Sequence, residues 1–225
     1  MRTILTQAGE DYLKAIYELS GDGEPVSTTQ LAKHLKVAPA SVTGMLQKLA
    51  LNQPPLLVYK KHHGVMLTPE GRSVALEIIR HHRLLELFLY KSLGYSWDEV
   101  HEEADRLEHV MSDFLEDHIA EALDNPTHDP HGDPIPDRDL NLPPFSTTPL
   151  SQLRPGQKAV VQRVNNLDPE LLRYLYGIGI LPHANLEIQD FSPFDKNLRI
   201  KVVQPNSVVV LGPAVTTQVF VEEIE

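Results

Sequence analysis

His101, Asp105, Glu108 and His109 offer two imidazoles and two carboxylates within nine residues. In a helix, at about 100° per residue, the four fall within one arc of roughly 100°. That spacing suits a divalent metal ion. A solvated acidic face beside the apolar stripe of Val100, Ala104, Leu107, Met111 and Phe114 is the commoner meaning of such a charge run taken alone. His82 and Glu86, again four residues apart, add a second constellation and favour the metal reading.

Composition bounds what surrounds these residues. The 225 residues allow one large domain or two to three small ones. The absence of cysteine excludes disulfides, thiolate ligands and a thiol nucleophile. No apolar run approaches the ~20 residues of a membrane span, and no signal-peptide pattern opens the sequence. A cytoplasmic protein is expected. The net charge of -11 is uneven: residues 1–72 carry +2, 73–140 carry -12 and 141–225 carry -1. The N-terminal part is therefore free to approach a polyanion.

That part reads as helix, helix, turn, helix, hairpin. Asp11 to Ser20 is apolar on one side and ends at Gly21-Asp22-Gly23. Ser27 and Gln30 form a capping box for a second helix. Pro39 opens a third, with Val42, Met45, Leu46 and Leu49 inward. Two short strands, residues 56–59 and 65–67, flank a basic tip at Lys60-Lys61. This is a winged helix-turn-helix. The expected DNA contacts are Ser27, Thr28, Pro39, Ala40, Ser41, Thr43, Gly44, Gln47 and Lys48 at the major groove, with Lys60 and Lys61 on phosphate.

Thr68-Pro69 starts a long helix that Gly94 stops, followed by helices from Ser96 and from Met111. Their apolar surplus exceeds what a small winged domain needs and predicts a homodimer on a palindromic operator. Residues 125–149 hold seven prolines and read as an extended linker. His128-Asp129-Pro130-His131 is set aside as a metal site, because a flexible segment does not preorganise ligands. About five short strands and one helix, Pro169 to Tyr176, then predict a small barrel. The fold class is mainly α with a C-terminal β domain. Its parts are a winged helix at 1–72, a helical metal-binding and dimerisation domain at 73–124, the linker at 125–149 and an SH3-like domain at 150–225.

Several stretches resemble the diphtheria toxin repressor family of metal-dependent regulators, nearest its manganese transport repressor branch. They are residues 10–17, 39–49, 67–71 and 82–86, and above all 101–113, ending Glu108-His109-Val110-Met111-Ser112-Asp113. The resemblance implies a primary metal site of Asp11, Asp105, Glu108 and His109 and a second of His82, Glu86 and His101. Asp168 and Glu170 are candidate further ligands from the SH3-like domain, or caps of its short helix. Lys14 stands where some manganese-type members carry another carboxylate. Iron-type members place sulfur at the positions of Asp11 and Asp105. Carboxylates there suit Mn²⁺, a hard ion, over Fe²⁺. The implied function is a Mn²⁺-responsive repressor of metal-uptake genes and not an enzyme. Its rivals are an Fe²⁺-responsive repressor, a metal-independent DNA-binding regulator and a metallohydrolase.

Overall fold

The structure is a computed structural model that describes residues 5–20, 23–165 and 168–224. Of the expected stop of the first helix, Gly21 and Asp22 lie outside the described residues. The chain divides into two compact units: residues 1–82 with 108–111 and 136–141, and residues 83–107 with 112–135 and 142–225.

In the first unit, α1 (Gln7–Leu19) starts at Thr6, whose side chain accepts from Gly9 N–H. The capping box of Ser27 and Gln30 starts α2 (Thr28–His34) as expected. Pro39 opens α3 (Pro39–Ala50), where its missing N–H costs no helical bond. The hairpin of β1 (Leu57–Lys60) and β2 (Gly64–Leu67) pairs Leu57 with Leu67 and Lys60 with Gly64. One core joins them: Leu13 and Ile16 of α1, Leu31 of α2, Val42, Leu46 and Leu49 of α3, and Leu57 and Val65 of the hairpin. Fully burying such side chains stabilises by roughly 1.5–3 kcal/mol each. α4 (Pro69–Leu93) follows. Gly71 in its first turn is required by contact, since a Cβ there would lie 1.7 Å from the carbonyl oxygen of Leu56.

The second unit holds α5 (Val100–Leu107) and α6 (Asp113–Ala122). It also holds a five-stranded antiparallel sheet in the order β6-β5-β4-β3-β7. The strands are β3 (Lys158–Val164), β4 (Asn185–Phe191), β5 (Leu198–Val202), β6 (Ser207–Leu211) and β7 (Val219–Ile224). α7 (Pro169–Ile178) links β3 to β4, and α8 (Pro213–Thr216) precedes β7. Alternate residues enter the core, as Leu198, Ile200 and Val202 do on β5, because strand side chains alternate faces. Leu172 and Leu175 of α7 and the single tryptophan, Trp97, complete it.

Two expectations are corrected. Residues 101–109 are not one helix, because α5 ends at Leu107. Ser112 has extended backbone (φ -85°, ψ 154°) and caps α6 by accepting from Leu115 N–H. The Glu108 carbonyl, which a continuing helix would engage, pairs with Nδ1 of His81 at 3.1 Å. Nor is the proline-rich segment extended throughout. Asp129 Oδ1 accepts from the backbone N–H of His131 and of Asp133, at 2.8 and 2.9 Å. Asp129, His131, Asp133 and Ile135 are buried.

Candidate metal centre and DNA-reading face

The first turns of α1 carry Glu10, Asp11 and Lys14, and the turn after α5 brings Glu108 and His109 to them. His109 Nε2 lies 2.9 Å from Asp11 Oδ1 and 3.4 Å from Glu108 Oε1. Its other nitrogen, Nδ1, lies 2.7 Å from Glu10 Oε2. Hydrogen bonds to Asp11 and then Glu10 hold the His109 imidazole up at about 10 despite the downward pull of burial. Glu108 is 1 % exposed. Its Oε2 lies 2.5 Å from His82 Nδ1. Lys14 Nζ donates to both Glu108 oxygens, at 2.8 and 3.1 Å.

In the second unit Glu86, fully buried, stands between two imidazoles. Its Oε1 lies 3.0 Å from His101 Nδ1, and its Oε2 lies 3.6 Å from His131 Nδ1. Asp105 faces His101 Nε2 at 3.6 Å. His131 Nε2 donates to the Trp97 carbonyl at 2.8 Å, which aims Nδ1 at Glu86 and at Asp129 Oδ1, 3.9 Å away. Those spans exceed hydrogen-bond length. His131 Nδ1 and Asp129 Oδ2 are buried with no hydrogen-bond partner. Burial, then the charges of Glu86 and Asp133, push the Asp129 carboxyl well above the usual range. Burial pulls His131 down, but the approach of Glu86 and the charge of Asp129 hold it at about 9.

Both clusters satisfy the donor chemistry of a divalent cation. Asp11, Glu108 and His109 each bring a ligand atom within 4.8 Å of the others, and so do Glu86, Asp129 and His131. Imidazole nitrogen and carboxylate oxygen are donors for hard to borderline ions. In the second cluster the two unbonded buried atoms are what an ion would satisfy.

Of the expected ligands, Asp11, Glu108, His109 and His82 meet in the first unit, and Glu86, His101 and Asp105 in the second. Asp168 caps α7 by accepting from Glu170 N–H and Leu171 N–H, and Glu170 sits in that helix's first turn. Sequence reasoning did not single out Glu10, and it set Asp129 and His131 aside. His81, beside His82, is buried, and Arg83 donates to the Pro134 carbonyl.

Most of the DNA-reading candidates, all in the first unit, are exposed. Pro39, Ala40, Ser41, Gly44, Gln47 and Lys48 are exposed along α3, and Lys60 and Lys61 at the hairpin tip. Thr43 is half-buried and donates to the Pro39 carbonyl. Ser27 and Thr28 are half-buried at the start of α2, where the Ser27 side chain is committed to its cap.

Residues 4–65 match the family described as "Iron dependent repressor, N-terminal DNA binding domain". Residues 68–137 match "Iron dependent repressor, metal binding and dimerisation domain", and residues 148–223 match "FeoA domain". The iron-dependent repressor IdeR of Mycobacterium leprae is 31 % identical over 197 residues, covering 82 % of this chain and 85 % of the relative. The chain belongs to the diphtheria toxin repressor family. A diphtheria toxin repressor of Corynebacterium jeikeium is 31 % identical over 169 residues, 73 % of this chain and 70 % of that protein. Among solved structures, a manganese-dependent transcriptional repressor in complex with manganese superimposes with a TM-score of 0.87 at 36 % identity, covering 96 % of this chain and all of the other. The manganese regulator SloR gives 0.80 at 32 % identity, covering 98 % of this chain and all of the other. These similarities place the chain in the manganese-regulator branch. It is a metal-dependent, DNA-binding transcriptional repressor with a dimerisation domain, and divalent metal is its cofactor. The family is one of repressors, which displaces the metallohydrolase reading of the same cluster. Among the described residues no helix is long and apolar enough to cross a membrane.

Proposed function

We propose that this repressor responds to Mn²⁺, binds a palindromic operator as a homodimer in the cytoplasm and controls metal-uptake genes. We further propose two metal sites, one built on Asp11, Glu108 and His109 and one on Glu86, Asp129 and His131, with His82, His101 and Asp105 beside them. Asp168 and Glu170 are left to the start of α7. Residues 1–72 are assigned to DNA reading, 73–124 to metal binding and dimerisation, 125–149 to the connection and 150–225 to the SH3-like domain.

The observation that carries this reading is the position of Asp11. It lies on α1, whose opposite face, Leu13 and Ile16, shares one core with Val42, Leu46 and Leu49 of α3. A divalent cation adds positive charge to a cluster in which the carboxylates of Glu10, Asp11 and Glu108 outnumber the one ammonium described there, Lys14. Asp11 and His109, drawn together, fix α1, and α1 fixes the helix expected to enter the major groove. A ligand that favours one arrangement of a two-state element shifts the population toward it. All-oxygen and imidazole donors, with no sulfur, support Mn²⁺. The Mycobacterium leprae relative carries iron in its name, so Fe²⁺ is the second reading.

The test is binding of the full chain to a fragment of its own or a neighbouring promoter, titrated with Mn²⁺, Fe²⁺ and Zn²⁺ against chelator. Binding switched on by Mn²⁺ at the lowest free concentration supports the reading. Equal binding in chelator would refute it, and earlier activation by Fe²⁺ would favour the second reading.

A further inference from the structure

We propose that Lys14 is a resident cation of the Asp11, Glu108 and His109 cluster and competes with the metal ion for Glu108. The inference rests on reading that cluster as a metal centre. Both oxygens of one carboxylate converge on Lys14 Nζ: Glu108 Oε2 at 2.8 Å and Oε1 at 3.1 Å. A carboxylate is what a divalent ion takes, and here an ammonium holds it at hydrogen-bond lengths. The pair is enclosed, with side chains 12 % and 1 % exposed.

A buried carboxylate without a countercharge is costly, and removing one partner of such a pair is strongly destabilising. Lys14 thus gives Glu108 a countercharge and holds it in place when no metal is bound. The same contact sets a threshold. Both Glu108 oxygens accept from Lys14, so an incoming ion must share a carboxylate already neutralised by the ammonium and meets the repulsion of that charge. Lys14 therefore raises the free metal concentration at which the centre fills. A residue that only oriented Glu108 would have the opposite effect on removal, because a misplaced ligand binds metal more weakly.

The test is Mn²⁺ binding to the full chain without DNA, read from the electron paramagnetic resonance signal of free Mn²⁺. The component abolished in Glu108→Gln defines the site. In Lys14→Met that component should tighten by at least about tenfold, the sense and minimum size expected when a unit charge a few ångströms from a divalent ion is removed. Lys14→Arg, which keeps the charge, should stay within about threefold of wild type by the same argument. Circular dichroism and urea melts check folding, with Lys14→Gln as the replacement if Lys14→Met does not fold. Unchanged or weaker binding in the neutral variant overturns the proposal. If Glu108→Gln removes no component at all, the metal reading of this cluster fails instead, and the two failures are distinct.

Discussion

Oε2 of Glu10 lies 2.7 Å from Nδ1 of His109, on the side of the ring away from Asp11. A carboxylate there receives the Nδ1 proton and leaves Nε2 turned toward Asp11 and Glu108. Such outer partners fix the tautomer and ring orientation of a ligand histidine. Glu10→Ala should weaken Mn²⁺ binding by about 10–100-fold, the range usual for loss of such a partner. Glu10→Gln, which can still accept a hydrogen bond, should lose less. Equal affinity in wild type and Glu10→Ala would show that the ring needs no such anchor.

The wing and the third helix should separate by salt dependence. Lys60 and Lys61 are exposed at the hairpin tip. Each phosphate contact removed should flatten the slope of log K against log salt by about 0.9. Lys60→Ala or Lys61→Ala should therefore weaken binding to all sequences alike. Ser41→Ala or Thr43→Val should change operator preference with little change in slope. Competition binding at two salt concentrations reads both quantities, and the same slope change in both classes would remove the distinction.

Phe114, on α6, is 74 % exposed. Phe114 belongs to the apolar stripe expected from sequence, yet in the single chain it faces solvent. An exposed aromatic in a dimerisation domain is the kind of residue that anchors an interface. Phe114→Asp should shift the monomer–dimer equilibrium toward monomer by at least tenfold, about 1.4 kcal/mol. Sedimentation velocity over a concentration series measures it, and an unchanged dimer would place the interface elsewhere.

The Asp98–Arg173 pair predicts an acid limb in stability. Arg173 Nη1 donates to Asp98 Oδ2 at 2.7 Å. Burial raises the Asp98 carboxyl, but hydrogen bonds from Arg173 and Ser96 outweigh it and hold the group below its usual 3.8. A depressed carboxylate stabilises above its unfolded value, and that contribution is lost as pH falls through the folded one. Arg173 is 57 % exposed, so the pair is worth at most about 1 kcal/mol. Arg173→Ala should show that small loss at pH 7 and converge on wild type well below pH 3.8. Urea melts across this range test it, and a loss independent of pH would assign the effect to packing.

Much of the frame was legible because local signals and burial agree. Pro39 and Pro69 open α3 and α4, Gly94 follows the end of α4, and β5 alternates as its sequence does. Asp11, Glu108 and His109 were legible as residues, through resemblance, but their geometry was not. Helical spacing placed 101–109 on one face, whereas Ser112 and His81 take the bonds that would have continued the helix. Glu10 was hidden beside Asp11, since neighbours on a helix point about 100° apart and one ligand suggests nothing of the next. The His128-Asp129-Pro130-His131 stretch was misjudged for a physical reason. Proline content suggests extension, but the Asp129 side chain holds the turn through two backbone N–H groups that composition does not reveal.

The central claim is that Asp11, Glu108 and His109 tie metal binding to DNA binding through α1. The most direct test is the operator affinity of Glu108→Gln, with folding confirmed, measured in Mn²⁺ and in chelator beside the wild type. The account predicts that the wild type gains affinity with Mn²⁺ while the variant stays at the chelator level in both conditions. Full Mn²⁺-dependent operator binding by Glu108→Gln would contradict it.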